Sequence, residues 1–554
     1  MSKKLKHTIF LLVALALLNI ASQSYYRRID LTSDHRYTLA PITKEVILNV
    51  NKELIITLYL EGDFPSEFKR LQIETKQFLE ELSSENSFIK TQFISPDNQR
   101  ERLIKAGMIP SQLTVKENGK LSNSIIFPWA EITYKNKTTI VSLLSNDMVQ
   151  TQEDQLETAV ENLEFSFVSA ILKLQEQKQK KVAILSGNGE LQDIQLYSFL
   201  SEITKKYRLA KFTLDSVERY PTKSVKDLQK FDLAIISKPT KQFSEKEKLV
   251  IDQYVMNGGK TLWMLENVQA DTDSLYNGGK MLAYPRDLNL TDLFFSYGLR
   301  VNATLIQDLY AAKIPLATGN IGNKPQFQNL NWFYHPLVSG NPTHAITKNI
   351  APVRLRFANQ IDTIQNNLKK TPLLMSSMLT KKTGTPAIIE LESIANEPKE
   401  EEYSSGFNIF SLLVEGDFNS MYAKRIKPFE LNKFTKKSNH NKMIIISDGD
   451  IGRNQIKKGK PFDLAEDKWT GEQFGNKEFL LNAVDYLLDD TGVIELRNKN
   501  LKINLLDKKR AFEERTFWQF INIALPLFIL TIFGCVFHYL RKRKYSKFLT
   551  NYHE

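Results

Sequence analysis

The segment FWQFINIALPLFILTIFGCVFHYL (517–540) constrains this chain more than any other feature. It is long enough to cross a bilayer, which takes about 20 apolar residues. Trp518 and Tyr539 stand near its ends, at the level of the aromatic belts. Pro526 would break a soluble helix but is tolerated in a membrane one. The run RKRK follows at once, and positive charge of this kind stays in the cytoplasm, which places the basic tail 541–554 there. A helix buried in a soluble core has no reason to end on four cations.

A second apolar stretch, TIFLLVALALLNIAS (8–22), follows Lys3, Lys4 and Lys6. Its short apolar core and small Ala21-Ser22 fit a signal peptide. Taken over 8–26, with 23–26 at the interface, it equally fits an uncleaved transmembrane anchor. With the anchor retained, both termini are cytoplasmic, and residues ~27 to ~515 form one large extracytoplasmic part held at both ends.

The formal net charge of +11 agrees with a membrane. Most of it lies in the tails, in Lys3, Lys4, Lys6, Arg541, Lys542, Arg543, Lys544 and Lys547 against Glu554. A basic excess spread over a folded surface would suggest nucleic acid. This one flanks apolar segments, so no nucleic-acid partner is expected. The single cysteine, Cys535, lies inside 517–540. The large part therefore has no disulfide and no thiol nucleophile, and must be stabilised by an apolar core.

At 554 residues the chain exceeds one ordinary core. ELIITLYLEG (53–62) reads as a strand, 65–84 has apolar residues at helical spacing, and FIKTQFISP (88–96) reads as the next strand. Thr43 is placed to cap a helix beginning at Lys44. Residues 27–150 are thus expected to form a small α/β domain, and 151–180 a connecting helix. A second domain, 181–500, opens on KKVAILSGNGE. FDLAIISKP (231–239), TLWMLE (261–266) and KMIIISDGD (442–450) are further apolar strand runs, with helices at 193–207, 243–257 and 476–489 between and after them. Continuous Val/Ile/Leu strands alternating with helices predict a doubly wound parallel sheet. Residues ~270 to ~435 read as loop-rich.

The stretch MNGGKTLWMLE (256–266) resembles the tail of a phosphate-binding loop. The full motif needs glycine where Tyr254 stands, and it needs the order strand, loop, helix. Here Ser244 and Glu247 begin a helix as a capping box, Gly258 ends it, and a strand follows. The chain is not expected to bind nucleotide here. SGNGE (Ser186, Gly187, Asn188, Gly189, Glu190) has the right order without the dinucleotide pattern, since position 192 is glutamine. It reads as a turn at which a small ligand can still sit. SDGDIGRN (447–454) places Asp448 and Asp450 at the carboxyl end of a buried strand, with Asn454 close behind. Open α/β sheets bind ligands at that edge. Paired aspartates can hold a hard cation, but D-x-D is also ordinary turn chemistry and no EF-hand glutamate follows.

No histidine pair has zinc-site spacing, and no G-x-S-x-G elbow occurs. Cys-His catalysis is excluded outside the membrane segment. No catalytic residue, metal or cofactor is therefore expected. The candidate ligand residues are Ser186, Gly187, Asn188, Gly189, Glu190, Asp448, Asp450 and Asn454.

RYTLAP, KVAILSGNGEL, FSEKEKLVIDQYVMNGGKTLWMLE, DLNLTDLFFSYGLRVN, NWFYHPL, HAITKNI, LLVEGDFNS, IISDGDIGRN and GNKEFLLNAVDYLLDDTGVIELRNK run in this order. Together they resemble the gliding-motility-associated ABC-transporter auxiliary proteins, the GldG-like family of Bacteroidetes, over nearly the whole chain. The resemblance implies an inner-membrane, two-pass protein whose periplasmic part holds a glutamine-amidotransferase-like α/β domain without amidotransferase chemistry. It implies an ABC permease subunit and an ATP-binding subunit as partners, and a substrate-binding role in gliding motility. Two other readings remain: a metal-assisted envelope hydrolase using Asp448 and Asp450, and a purely structural envelope scaffold.

Overall fold

The computed structural model describes residues 38–499 and 508–549, apart from 63, 65, 118–119, 145–151, 176–178 and 323, together with Phe10 and Leu15. The expected anchor 8–26 otherwise lies outside the described residues. The chain divides into two compact units, Met1–Asn500 and Leu501–Glu554.

Helix α1 (Pro41–Leu48) opens the first unit, with Pro41 in its first turn and Ala40 at the N-cap. Proline at this position suits a helix start, because its missing N–H would have no partner there. The helix thus begins earlier than expected, and Thr43 lies inside it. The Thr43 hydroxyl donates to Glu164 at 2.6 Å instead of capping. β1 (Leu54–Leu58), α2 (Ser66–Glu85) and β2 (Ile89–Phe93) form the expected strand-helix-strand unit, with β1 and β2 parallel. After α3 (Arg100–Lys105) comes a separate hairpin of β3 (Ser111–Glu117) and β4 (Lys120–Ile126). β5 (Trp129–Tyr134) and β6 (Lys137–Ser142) then add antiparallel, giving the sheet order β2-β1-β5-β6. The connecting helix is two helices, α4 (Gln152–Glu161) and α5 (Leu163–Gln175), with a turn at Asn162.

The larger sheet starts with β7 (Lys181–Ser186), α6 (Asp193–Thr204), β8 (Arg208–Thr213), α7 (Pro221–Leu228), β9 (Leu233–Ser237), α8 (Glu245–Met256) and β10 (Lys260–Met264). The capping box on α8 is made: Ser244 Oγ accepts from Glu247 N, and Glu247 Oε2 accepts from Ser244 N at 2.7 Å. Gly258 adopts φ +92, the left-handed turn that stops the helix. A Cβ on Gly259 would lie 2.3 Å from the Tyr254 ring. The tyrosine that breaks the phosphate-loop pattern thus also explains the second glycine.

Residues 270–435, read from the sequence as loop-rich, are rich in strands. After β11 (Val268–Gln269) they include α9 (Thr272–Gly278), β12 (Lys280–Pro285), α10 (Thr291–Ser296), β13 (Leu299–Asp308), β14 (Ala311–Ile321) and β15 (Lys324–Gly340). β16 (Val353–Arg354), β17 (Asn359–Thr363), β18 (Lys369–Met375), β19 (Thr380–Gly384), β20 (Ala387–Glu390) and β21 (Ile409–Gly416) follow, before β22 (Asn441–Ile446) and α11 (Asn476–Leu488). The sheet runs β14-β15-β18-β21-β22-β10-β9-β7-β8. It is parallel from β22 to β8 and antiparallel from β22 to β14. The parallel part is as expected, with β8 added at its edge. The antiparallel half was hidden because Pro315, Gly319, Pro325 and several asparagines interrupt any alternation in β14 and β15.

Alternate residues of each central strand bury on opposite faces. Leu262 and Met264 pack with α6 and α11, while Trp263 between them packs with α7, α8 and α10. Trp263 meets Phe294 edge-on at 5.1 Å. Helices on both faces leave no polar face for these strands, which is why they read as unbroken apolar runs. Each fully buried large side chain contributes about 1.5–3 kcal/mol.

Glu164, at the start of α5 and buried, ties together the two ends of this unit. It accepts from Ala40 N at 2.7 Å and from Thr43, and it pairs with Lys499 Nζ at 2.8 Å. Lys499 also donates to the Thr38 carbonyl at 2.9 Å. Residues 40–43 and Lys499, far apart in the chain, thus meet at one carboxylate.

In the second unit, α12 (Lys508–Glu513) precedes α13 (Arg515–Leu549). Within α13, the span Arg515–Arg543 contains an 18-residue window with a mean hydropathy of 2.4, none of it buried in protein. Among the described residues it is the one helix long and apolar enough to cross a membrane.

Candidate functional site

All the loops that leave the parallel strands at their carboxyl ends gather at one edge. β9 ends in Ser237, and Lys238 follows with φ +50, a backbone conformation that costs a non-glycine residue about 1–3 kcal/mol. Its N–H donates to the Met264 carbonyl at 2.8 Å, and its side chain turns inward. Lys238 Nζ lies 2.6 Å from Asp450 Oδ2 and 3.0 Å from Glu266 Oε2. Glu266 follows β10, and its Oε2 also pairs with Arg286 at 3.2 Å. Gly449 lets this happen: a Cβ there would stand 2.6 Å from Lys238 Cγ.

Asp448 faces elsewhere. Its carboxylate accepts from Arg356 N at 2.8 Å and from Asp450 N at 2.7 Å. Asn454 is structural in its contacts, accepting from Ser198 N and donating to the Ile194 carbonyl on α6. Arg453 reaches Asp450, Asp271 and Asp273 only loosely, at 3.5, 3.9 and 3.6 Å. Arg354 is buried against Asp467 at 2.5 Å and over the Phe474 ring. His335, on β15, is buried with Nε2 3.3 Å from Thr272 Oγ1.

The electrostatics follow from burial and partners. Burial pushes Glu266 up to about 7 against the pull of Lys238, with Asp450 adding to the rise. Burial and the charge of Asp450 push Asp448 up to about 7 as well. Burial would raise Asp450 too, but Lys238, Arg356 and Arg453 outweigh it and hold that carboxyl at about 2. Burial alone would lower Lys238, but Asp450 and Glu266 keep it above its ordinary value. Burial, with Arg356 and Arg354, holds His335 well below the usual imidazole range. One carboxylate is therefore firmly ionised beside one ammonium, and two others have a weakened hold on their charge.

The 186–190 turn sits beside this network and closes on the segment 240–247. The Asn188 carbonyl accepts from Thr240 N and Lys241 N, both at 2.8 Å, and Asn188 Nδ2 donates to the Gln242 carbonyl. Glu190 Oε2 accepts from Asn188 N. Ser186 Oγ faces the Phe212 carbonyl. Gly187 and Gly189 both adopt positive φ, and a Cβ on Gly189 would strike Thr240 Oγ1 at 2.1 Å. Asn188 Oδ1 and Glu190 Oε1 are buried without a hydrogen-bond partner.

The eight sequence candidates thus fall into two neighbouring groups. The turn packs on 240–247, and the Asp448–Asn454 loop packs on Lys238, Arg356 and α6. Sequence reasoning missed Lys238, Glu266, Arg286, Arg354, Arg356, Arg453 and His335. Lys238 and Glu266 did leave a signal, since each is the first charged residue after an apolar strand run. The pairing also bears on a metal at Asp448 and Asp450. An ammonium already supplies the positive charge at Asp450, Asp448 is turned to backbone N–H groups, and among the described residues no group of three His, Cys, Asp or Glu is placed to hold a metal.

A groove of about 800 Å³ lies elsewhere, lined by β6, α5 and α11 with Phe165, Tyr207 and Asn482. Several of its charged residues are already paired, Lys180 with Asp490, Lys206 with Asp485 and Arg497 with Glu478. It lacks the convergent, incompletely satisfied polar groups of the carboxyl edge, which we take as the candidate site.

The comparisons with known proteins cover the same region. A family described as an ABC-type uncharacterized transport system, ABC_transp_aux, matches residues 179–483, the whole parallel sheet and its carboxyl-end loops. A domain of unknown function (DUF7088) matches residues 33–133. An uncharacterized protein of Borreliella burgdorferi is 22% identical over 93% of this chain and 94% of its own length. Among solved structures, the mmIFT52 N-terminal domain aligns with a TM-score of 0.31 and 12% identity, over 56% of this chain and 99% of that one, too loosely to bear on the fold. With more than half of its length matched, the chain belongs to the auxiliary family of an uncharacterized ABC-type transport system.

Proposed function

We propose that the chain is a non-catalytic accessory subunit of an ABC transport complex, held in the inner membrane and working by binding. The family match over 179–483 carries this reading. The α13 helix docks a permease, a separate subunit supplies ATP hydrolysis, and the carboxyl edge of the large sheet engages a ligand on the periplasmic side. The core is an amidotransferase-like sheet without its nucleophile, consistent with the lone cysteine being Cys535. The GldG-like sequence blocks support a place in gliding motility.

The occupied carboxylates favour binding over hydrolysis. A hydrolase needs a general base with room beside it, whereas Asp450 is saturated by Lys238 and Asp448 by two N–H groups. The meeting of Thr38 and Lys499 at Glu164 suits a domain tethered to one membrane at both ends.

The orientation is tested by reporter fusions. An alkaline phosphatase fused after Glu554 is expected to be inactive and a fluorescent protein at the same place bright, because RKRK holds that end in the cytoplasm. Phosphatase inserted in the exposed loop 396–402 is expected to be active. The reverse pattern contradicts the orientation.

A further inference from the structure

Five cations meet at the carboxyl edge, and their pairing is unequal. Lys238 and Arg286 share Glu266, Lys238 also holds Asp450, and Arg354 holds Asp467. Arg453 has three carboxylates near it and none closer than 3.5 Å. Arg356 has none within 4 Å among the described residues, and its side chain makes no hydrogen bond, although its backbone N–H is fixed by Asp448. The residue is half-buried, and its charge acts on Asp450, His335 and Arg354 across the cluster. The charges of Asp467, Arg356, Asp273 and Arg354 all act on Tyr276 on α9, which is partly exposed, and among the described residues no hydrogen bond uses its hydroxyl.

A guanidinium partly withdrawn from water normally finds an acceptor, because an unpaired charge costs several kcal/mol to desolvate. Planar guanidinium donors match two oxygens of one carboxylate or phosphate. We propose that Arg356 and Arg453, with the Tyr276 hydroxyl, bind an oxyanion of the ligand, a carboxylate or a phosphate, at the carboxyl edge. The site deepens the accessory-subunit reading by giving its ligand a charge, and it rests on that reading for its biological role. The carboxylates near Arg453 hold it weakly: Asp450, Asp271 and Asp273 lie at 3.5, 3.9 and 3.6 Å, and the last two are partly exposed, so an incoming oxyanion can displace them. Arg356 also has a fixed origin: its N–H is anchored on Asp448, so the ligand edge and the D-x-D loop are one construction.

The test uses the full chain in detergent, with unfolding followed at constant ionic strength while inorganic phosphate or acetate replaces chloride. The expected result is a saturable rise in the unfolding midpoint with one of the two, as required when a ligand binds only the folded state. Which anion works identifies the chemistry. Arg356→Gln is expected to weaken that response at least about tenfold, the effect of losing a charged hydrogen bond. Removing the Arg356 charge near Asp450 also shifts the midpoint in chloride, so each variant's anion response is read against its own chloride baseline. Lys241→Gln, at an exposed position outside the cluster, should leave the response unchanged. Absence of a saturable response to both anions, or an undiminished response in Arg356→Gln, overturns the assignment. If anions fail while transporter subunits still co-purify, only the anion site falls. If Arg356-dependent binding appears and no transporter subunit co-purifies, only the accessory reading falls.

Discussion

Lys238→Met is expected to destabilise the first unit by about 3–5 kcal/mol, the usual cost of removing one partner from a buried charge pair. Methionine fills much of the lysine stem, so the loss is electrostatic and not a cavity. It leaves Asp450 and Glu266 buried beside no ammonium, with Glu266 keeping only Arg286. Glu266 Oε1 is already buried without a hydrogen-bond partner, so the site has little to compensate with. Without Lys238 both carboxyls will rise, and a raised carboxyl contributes stability below its unfolded value that is lost as pH climbs through its folded value. The deficit should therefore be larger at pH 8 than at pH 5. Adding Asp450→Asn should recover part of it. Denaturant unfolding of the wild type, Lys238→Met, Asp450→Asn and the double variant measures each term, and a Lys238→Met loss below about 1 kcal/mol would contradict the buried pairing.

Glu164→Ala is expected to cost about 3 kcal/mol and to release α1. The substitution strands the Ala40 N–H, the Thr43 hydroxyl and the Lys499 ammonium together, each of which costs about 1–3 kcal/mol when left unpaired in a buried setting. Relaxation into water near Lys499, which is less buried, keeps the total below the sum. Glu164→Gln retains one acceptor oxygen and should cost less. The opening should be local, so faster proteolysis and hydrogen exchange near 38–48 is the expected signature, with the parallel sheet unaffected. If the alanine variant exchanges there like the wild type, the junction is not held by this carboxylate.

The parallel strands were legible because they bury both faces. Runs such as LAIIS and MIII can be little else once Ser244 and Gly258 punctuate the helix between them. β8, RLAKFT, escaped notice as a half-exposed edge strand whose composition reads as loop. β13 to β21 escaped because their pairing is non-local and partly set by bulges, as between Ala311 and Lys313. Asp448 and Asp450 were visible from their place at a strand end. Their partners were not, since nothing in ISKP or PVRLRF says that Lys238 turns inward while the Arg356 side chain stays unpaired. That choice is made by the left-handed turn at Lys238 and by the close approach at Gly449, which exist only in three dimensions.

In the proposed role the chain serves an ABC transporter and leaves ATP to another subunit. The most direct measurement is purification of the tagged full chain from its native membranes in mild detergent, followed by mass spectrometry of what accompanies it. A permease and an ATP-binding subunit in near-stoichiometric amounts, with ATPase activity lost when the ATP-binding subunit is removed, is the predicted result. A chain that purifies alone after cross-linking, or that hydrolyses ATP by itself, would contradict it.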